Sequence, residues 1–252
     1  MTSNFANLPS IFQFKQTEDL VRLGSNYDGG YLVSRKDVIT SDVLIGLGIN
    51  DDWSFEQDFL RINKVPTVMF DASVNFRFFI KITILSLLNI KKPLKMAHGL
   101  LTFLRYKKFF KNNVQHIKKF VGLNAAGPYT TMQSIFDKIE SKAIFLKIDI
   151  EGSEYRVLET LVQNINKLTG CVIEFHDVDI HLNTIIEFLQ KFKMNIIHIH
   201  VNNYGPVKLP CETPTVIEIS FSKQTGTVQP RLPHTFDKPN NPLLPEYTLK
   251  FV

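Results

Sequence analysis

Cysteine is scarce in this chain of 252 residues: Cys171 and Cys211 are the only two. That is too few for a disulfide framework, and their separation lacks the paired spacing of a zinc site. A long apolar run is also missing. The most apolar stretch, Phe78 to Ile90, has 13 residues and includes Lys81, short of the ~20 needed to cross a bilayer. The opening MTSNFANLPSIFQFK has neither the basic start nor the continuous apolar core of a secretory leader, so a cytoplasmic protein is expected. Acid is absent between Ala72 and Phe136, where eleven bases fall, while the rest of the chain carries 18 bases against 24 acids. One basic segment is thus set into an acidic chain.

What is present is enough apolar residue, 44%, to bury a core without metals or cross-links. Val43 to Leu47, Val65 to Phe70, Ile117 to Leu123, Ile144 to Ile148, Cys171 to Phe175, Asn195 to His200 and Thr215 to Phe221 are short and rich in Val, Ile and Phe, and read as strands. Helical patterns lie between them, best seen in Leu158, Leu161, Val162, Ile165 and Leu168 at i, i+3, i+4, i+7 spacing. Alternation of strand and helix predicts an α/β fold with a mostly parallel sheet covered on both faces. The last two strands are joined by Asn202-Asn203-Tyr204-Gly205-Pro206, loop chemistry with no room for a helix, so they should be antiparallel. The expected organisation is a single domain over residues 1–252, with a basic helical insertion at about 75–113 and an extended, Pro-rich tail at about 223–252.

Ligands of open α/β sheets bind beyond the carboxyl ends of strands, and three such ends hold unusual residues. In LIGLGINDDWSFE, Gly46 and Gly48 would let a ligand approach the backbone. Asp71 ends the next strand 23 residues after Gly48, where nucleotide-binding α/β folds place an acid on a ribose hydroxyl. Together they indicate an adenosine-containing cofactor. Asp51 and Asp52 follow Asn50, and the third glycine of G-x-G-x-x-G is absent, which opposes a pyrophosphate at the helix start. S-adenosylmethionine has the same adenosine, no phosphate and a cationic sulfonium. The third end, FLKIDIEGSEYRVLETL with EFHDVDIH after the following strand, collects Asp149, Glu151, Glu154, Glu174 and His176. Asp149 and Glu174 each adjoin an apolar strand and should enter the crevice, where an acid needs a ligand, metal or partner. Glu154, in the first turn of a helix, needs only the helix dipole to explain it. His176 is either a structural histidine or a catalytic one.

FLKIDIEGSEYRVLETL followed by E-F-H resembles the signature of FkbM-type methyltransferases. RLGSNYDGGYLV (Arg22 to Val33) and LIGLGINDDWSFEQDF resemble upstream motifs of a branch of that family, and LPHTFDKPNNPLLPEYTLKF resembles the endings of small sugar-modifying members. Most of the chain outside roughly residues 75–113 takes part. The resemblance implies a class I methyltransferase Rossmann-like fold, a seven-stranded sheet with a reversed last strand, and S-adenosylmethionine-dependent methyl transfer to oxygen. It also implies that Gly46, Gly48 and Asn50 line the methionine end of the cofactor, that Asp71 and Ser73 lie by the ribose with Asp149 nearby, and that the turn Asp28-Gly29-Gly30-Tyr31 closes the pocket. The chain has GLGIN where many members have D-x-G-A-N-x-G.

For transfer to a hydroxyl of a sugar in a free, nucleotide-linked or lipid-linked glycan, two solutions fit the residues. His176 acts as general base, or Asp149 and Glu174, with His176 as base or extra ligand, hold Mg²⁺ or Mn²⁺. The rival expectation is a noncatalytic or RNA-directed binding protein that uses the basic insertion and its aromatics. Against nucleic acid, no RNA-binding motif is present. A further expectation is peripheral membrane contact through the insertion, whose apolar run and Lys91-Lys92 pair combine area with charge.

Overall fold

The computed structural model describes residues 4–87 and 98–252. The chain begins with β1 (Phe5–Leu8) and an antiparallel hairpin, β2 (Leu20–Gly24) and β3 (Gly30–Ser34). Ser34 then caps α1 (Arg35–Thr40), its Oγ accepting from the N–H of Asp37. There follow β4 (Val43–Leu47), α2 (Ser54–Ile62), β5 (Thr67–Phe70), α3 (Phe76–Leu87), α4 (His98–Phe109) and β6 (Val114–Ile117). Short β7 (Phe120–Gly122) and β8 (Tyr129–Thr131) precede α5 (Met132–Lys138), β9 (Ile144–Ile148) and α6 (Leu158–Gln163). The last part comprises β10 (Leu168–Phe175), α7 (Val178–Lys191), β11 (Asn195–Val201), β12 (Val207–Lys208), β13 (Thr213–Pro214), β14 (Ile217–Ser222) and β15 (Thr248–Phe251).

Seven strands form the central sheet in the order β11-β14-β10-β9-β4-β5-β6. The pairs from β10 to β6 are parallel, and β14 runs antiparallel to both β10 and β11. Strand alternation splits the core between the two faces. Ile45, Leu47, Leu146, Ile148, Ile173 and Ile219 join one cluster, packed with Ile135, Leu161 and Phe188 of α5, α6 and α7. Leu44, Phe145 and Val172 join the other, with Phe55 and Phe59 of α2 and Tyr31 and Val33 of β3.

Three expectations shift. The strand expected at Ile117 to Leu123 lies earlier, at β6, because the chain turns at Lys118 and Lys119 and Phe120–Gly122 pairs with β8 instead. The amphipathic helix through Leu168 stops at Gln163, and after one 3₁₀ turn, Ile165–Lys167, Leu168 already starts β10. The tail is not only an extended covering, since β15 pairs in parallel with β1 and ties the two ends of the chain together. Within the insertion, α3 and α4 pack on one another. Residues 88–90 of the apolar run and the pair Lys91-Lys92 lie outside the described residues.

Candidate active site

β4 and β9 are adjacent in the sheet although four strands separate them in the chain, which makes their carboxyl ends the switch point where an open α/β sheet leaves a crevice. Gly48 and Asp149 follow these strands. Gly48 has φ of 88°, and a Cβ there would fall 1.8 Å from the carbonyl oxygen of Asp149. Glycine is therefore demanded by the approach of two strand ends, before any ligand is considered. Gly46 lies within β4, and Met69 Sδ sits 2.5 Å from the place a Cβ would take. Its open side is filled by the protein.

Asp71, at the end of β5, is saturated by its own surroundings. Oδ2 accepts from the N–H groups of Ile49 (2.9 Å) and Asn50 (3.1 Å), and Oδ1 from Ser73 N–H (2.7 Å) and Oγ–H (2.6 Å). Burial alone would raise this carboxyl, but the four bonds outweigh it and hold the group below its ordinary value. Gly48 N–H donates to Phe70 O at 3.0 Å, so three successive N–H groups of the loop are engaged inside the protein. A phosphate needs such groups free, and the loop is accordingly suited to a cofactor without one. The same saturation means that a ribose would have to share Asp71 with Ser73. Asn50 itself takes a left-handed φ of 47°, and Asp52 Oδ1 accepts from Ser54 N–H at 2.8 Å, serving the start of α2. The β2–β3 turn leans over this loop, with Asp52 Oδ2 3.3 Å from where a Cβ of Gly29 would be.

The face of the sheet that carries Phe145 and Val172 becomes polar toward the same edge. Lys147, Glu174, Glu218, His200 and Asn202 are all buried there, with Glu218 opposite both Glu174 and His200 in the strand register. Tyr31, from the hairpin, joins the row to the crevice: its hydroxyl lies 2.7 Å from Glu174 Oε2 and 3.2 Å from Asp149 Oδ2. Asn202 Nδ2 donates to Glu174 Oε1 at 2.8 Å and to Asp28 Oδ1 at 3.2 Å, and Asn240 of the tail donates to Asp28 Oδ1 (3.0 Å) and Glu218 Oε1 (2.7 Å). Burial, and then the charges of Asp149 and Glu218, push the Glu174 carboxyl well above its ordinary range, as expected when neighbouring acids cannot all ionise. Burial also raises Asp28, partly offset by Asn240. Lys147 Nζ stands 3.5 Å from Asp149 Oδ2. Burial disfavours its charge, but Asp149, Glu56 and Glu174 together raise its pKa.

Glu154 has a different role from the one its sequence position implies. It lies in a 3₁₀ turn, Glu154–Arg156, is fully buried, and its Oε1 accepts from Ile150 N–H (3.0 Å) and Gly152 N–H (3.2 Å). His176 Nδ1 is 3.1 Å from the same oxygen. The carboxylate thus shapes the turn after Asp149, in which Glu151 and Gly152 both have positive φ, and ties it to the end of β10. Burial would lower the His176 pKa, but the Glu154 bond and charge, followed by Glu174 and Asp149, raise it to about 9. That shift favours the protonated ring at neutral pH, which weighs against the expected role of His176 as general base.

The expected metal set is also rearranged. Both oxygens of Glu174 are bonded, to Tyr31 and Asn202. Among the described residues, the group whose ligand atoms lie within 4.8 Å of one another is Asp149, Glu151 and His176. His176 Nε2 faces Glu151 Oε2 at 3.5 Å, and a protonated imidazole offers no lone pair to an ion. A divalent ion would have to displace that proton, and Asp149, Glu151 and His176 are the residues that would hold it, with Glu174 engaged elsewhere. Tyr31 was expected only as part of the turn that closes the pocket, and Lys147, Asn202, Glu218, His200 and Asn240 went unnoticed in the sequence. For Lys147, His200 and Glu218 the signal was there, as polar residues at every second position in L-K-I-D, H-I-H and I-E-I.

Residues 128–223 match the family model described as the methyltransferase FkbM domain. No curated protein matches the chain. Among solved structures, an rRNA methylase from Streptococcus thermophilus is similar at 10% identity over 75% of this chain and 92% of its own, with a TM-score of 0.40. A precorrin-6y C5,15-methyltransferase from Geobacter metallireducens is similar at 13% identity over 75% and 86%, with a TM-score of 0.40. TrmK of M. capricolum, solved with S-adenosyl-homocysteine, shares 12% identity over 79% and 69%, with a TM-score of 0.36.

Proposed function

We propose, from the FkbM-domain match that contains Asp149, Glu174 and His176, that the protein is an S-adenosylmethionine-dependent O-methyltransferase acting on a hydroxyl of a carbohydrate. The observation that carries this reading is the Asp149–Tyr31–Glu174 group at the switch-point crevice, beside a loop whose Gly48, Ile49 and Asn50 N–H groups are engaged within the protein. S-adenosylmethionine, when bound, supplies a methyl group made electrophilic by its sulfonium. Asn50, Asp71, Ser73 and Asp149 border that ligand in this reading, and the Asp28-Gly29 turn closes over it. The surrounding acids suit a cation and repel a phosphate.

The chain's own work is to align the acceptor and take its proton. Asp149 is the exposed member of the acid pair, with its side chain 25% accessible against 5% for Glu174. It is therefore the group assigned to accept the hydroxyl proton. Tyr31 and Glu174 stand behind it and fix its orientation, and Lys147 and cationic His176 balance the charge. Asp28, exposed and oriented by the amides of buried Asn202 and Asn240, offers a carboxylate of the kind that recognises a hydroxyl-rich ligand. The RNA-directed alternative is weakened by the direction of the insertion's aromatics, which pack inward on Trp53.

The test is methyl transfer from S-adenosylmethionine to free, nucleotide-linked and lipid-linked sugars, read by mass spectrometry, alongside calorimetric cofactor binding. Asp149→Asn should lower the rate ~10²–10⁴-fold with cofactor affinity kept within a few-fold. Full activity of that variant would remove Asp149 from the reaction. Transfer should survive EDTA, and a loss restored by Mn²⁺ would return the metal to the mechanism.

A further inference from the structure

The basic insertion shows two different surfaces. Its inward surface is aromatic: Phe79, Phe103, Tyr106, Phe109 and Phe110 gather with Trp53, and the rings of Tyr106, Phe109 and Phe110 lie 5.7 to 6.3 Å from that indole. Its outward surface is aliphatic and basic. On α3 the exposed residues Arg77, Ile80, Lys81 and Ile84 follow i, i+3, i+4, i+7 spacing, and on α4 the exposed Leu101, Leu104 and Lys108 keep the same period, while the Arg105 guanidinium turns over the Trp53 ring at 5.7 Å. Ile80, Ile84, Leu101 and Leu104 are each between 42 and 54% accessible, which is unusual for large aliphatics placed in regular stripes. No acid occurs from Ala72 to Phe136 to offset the bases.

We infer that the outward face of α3 and α4 docks on an anionic lipid surface. A bilayer interface rewards what these stripes combine, aliphatic side chains that enter the acyl boundary beside bases that meet the headgroups. A nucleic acid would call for exposed rings on which bases stack, and here the rings are buried or half-buried against Trp53 and absent from the outward stripes. An acidic protein partner would match the charge, but a docking face built for one specific partner is typically centred on aromatic anchors, and those too are inside. The docking face does not depend on the reaction assigned above. Since α3 begins five residues after Asp71 and packs on the loop after β4, such docking would bring the crevice close to the lipid.

The experiment is co-sedimentation of the full-length protein with phosphatidylcholine vesicles, with and without phosphatidylglycerol, at low and high salt. Binding is expected only with the anionic lipid and should fall with salt. K81Q/K108Q should weaken it about 30-fold, from the contribution of two bases near the surface. L101S/L104S should weaken it at unchanged charge, with thermal melting and S-adenosylmethionine affinity preserved. The inference is overturned if anionic vesicles fail to bind the protein. It is equally overturned if L101S/L104S binds as well as the parent, or if single-stranded RNA binds more tightly than the vesicles. Self-association abolished by L101S/L104S would instead assign the face to a second copy of the chain and overturn the lipid assignment.

Discussion

Removing the carboxylate of Glu154 would leave the N–H groups of Ile150 and Gly152 without their acceptor and His176 without its nearest counter-charge. Glu154→Ala should therefore cost ~3–5 kcal/mol, as breaking a buried pair from one side does. Glu154→Gln keeps an acceptor oxygen and separates turn geometry from charge. The His176 pKa is raised, to about 9, so its stabilisation is complete below the unfolded value of ~6.5 and is lost as pH rises through about 9. NMR titration of the His176 ring should show a value near 9 in the parent and one moved toward 6.5 in Glu154→Gln. A ring that titrates unchanged in that variant would mean Glu154 acts by shape alone.

At the scale of elements, the tail is clamped to the sheet by two buried histidines. His198 Nε2 lies 3.2 Å from Asp237 Oδ1, and His200 lies between Glu218 (3.2 Å) and Glu246 (2.5 Å). Asn203 Nδ2 adds bonds to the carbonyls of Asn241, Leu244 and Pro245. Burial would raise Asp237, but His198, through charge and hydrogen bond, and then His200 lower it to about 2. Its contribution is present above the unfolded value of ~3.9 and lost as pH falls through about 2. Burial would lower His200, but Glu218 and Glu246 raise it well above its ordinary value. That contribution is complete below ~6.5 and lost only as pH rises through the raised value. Hydrogen exchange of the tail around Asp237 to Glu246 should therefore be slowest between about pH 4 and 6.5 and quicken at strongly alkaline pH, after correction for intrinsic rates. His200→Asn should remove the alkaline step. A tail whose protection ignores both pH and this substitution would show that packing, not charge, holds it.

For the whole molecule, the separation of cores predicts unequal stability. The sheet is covered by two large clusters, while α3 and α4 reach the body through a third, centred on Trp53 with Ile49, Met69, Val74 and Phe79. A satellite core held by one large side chain should open before the sheet does. Trp53→Ala, which removes a fully buried indole, should cost ~3–5 kcal/mol. The loss should appear as faster hydrogen exchange in α3 and α4 with protection of β4, β9 and β10 retained. Uniform loss across the sheet would mean that insertion and sheet form one cooperative unit.

Six of the seven strands of the sheet were legible in the chain because each is a short run rich in Val, Ile and Phe, and a strand buried on both faces needs little else; the edge strand β6, with Gln115 and His116, has no such run. The gathering of Asp149, Glu174 and His176 was legible as well, since acids beside apolar strands declare themselves by what their burial costs. Local pattern could not tell a helix dipole from a buried tie at Glu154, nor a base from a cation at His176, because both depend on neighbours 22 residues apart in the chain. The partners of Glu174 are more distant still: Tyr31 is 143 positions away, and Asn202 connects it to Asp28, 174 positions from that asparagine. Such contacts are set by strand register and by the return of the tail over the sheet. The chain by itself determined which residues are strands and which are unusual; tertiary structure alone decided their protonation and pairing, because charge is governed by the distance and burial that only the folded sheet creates.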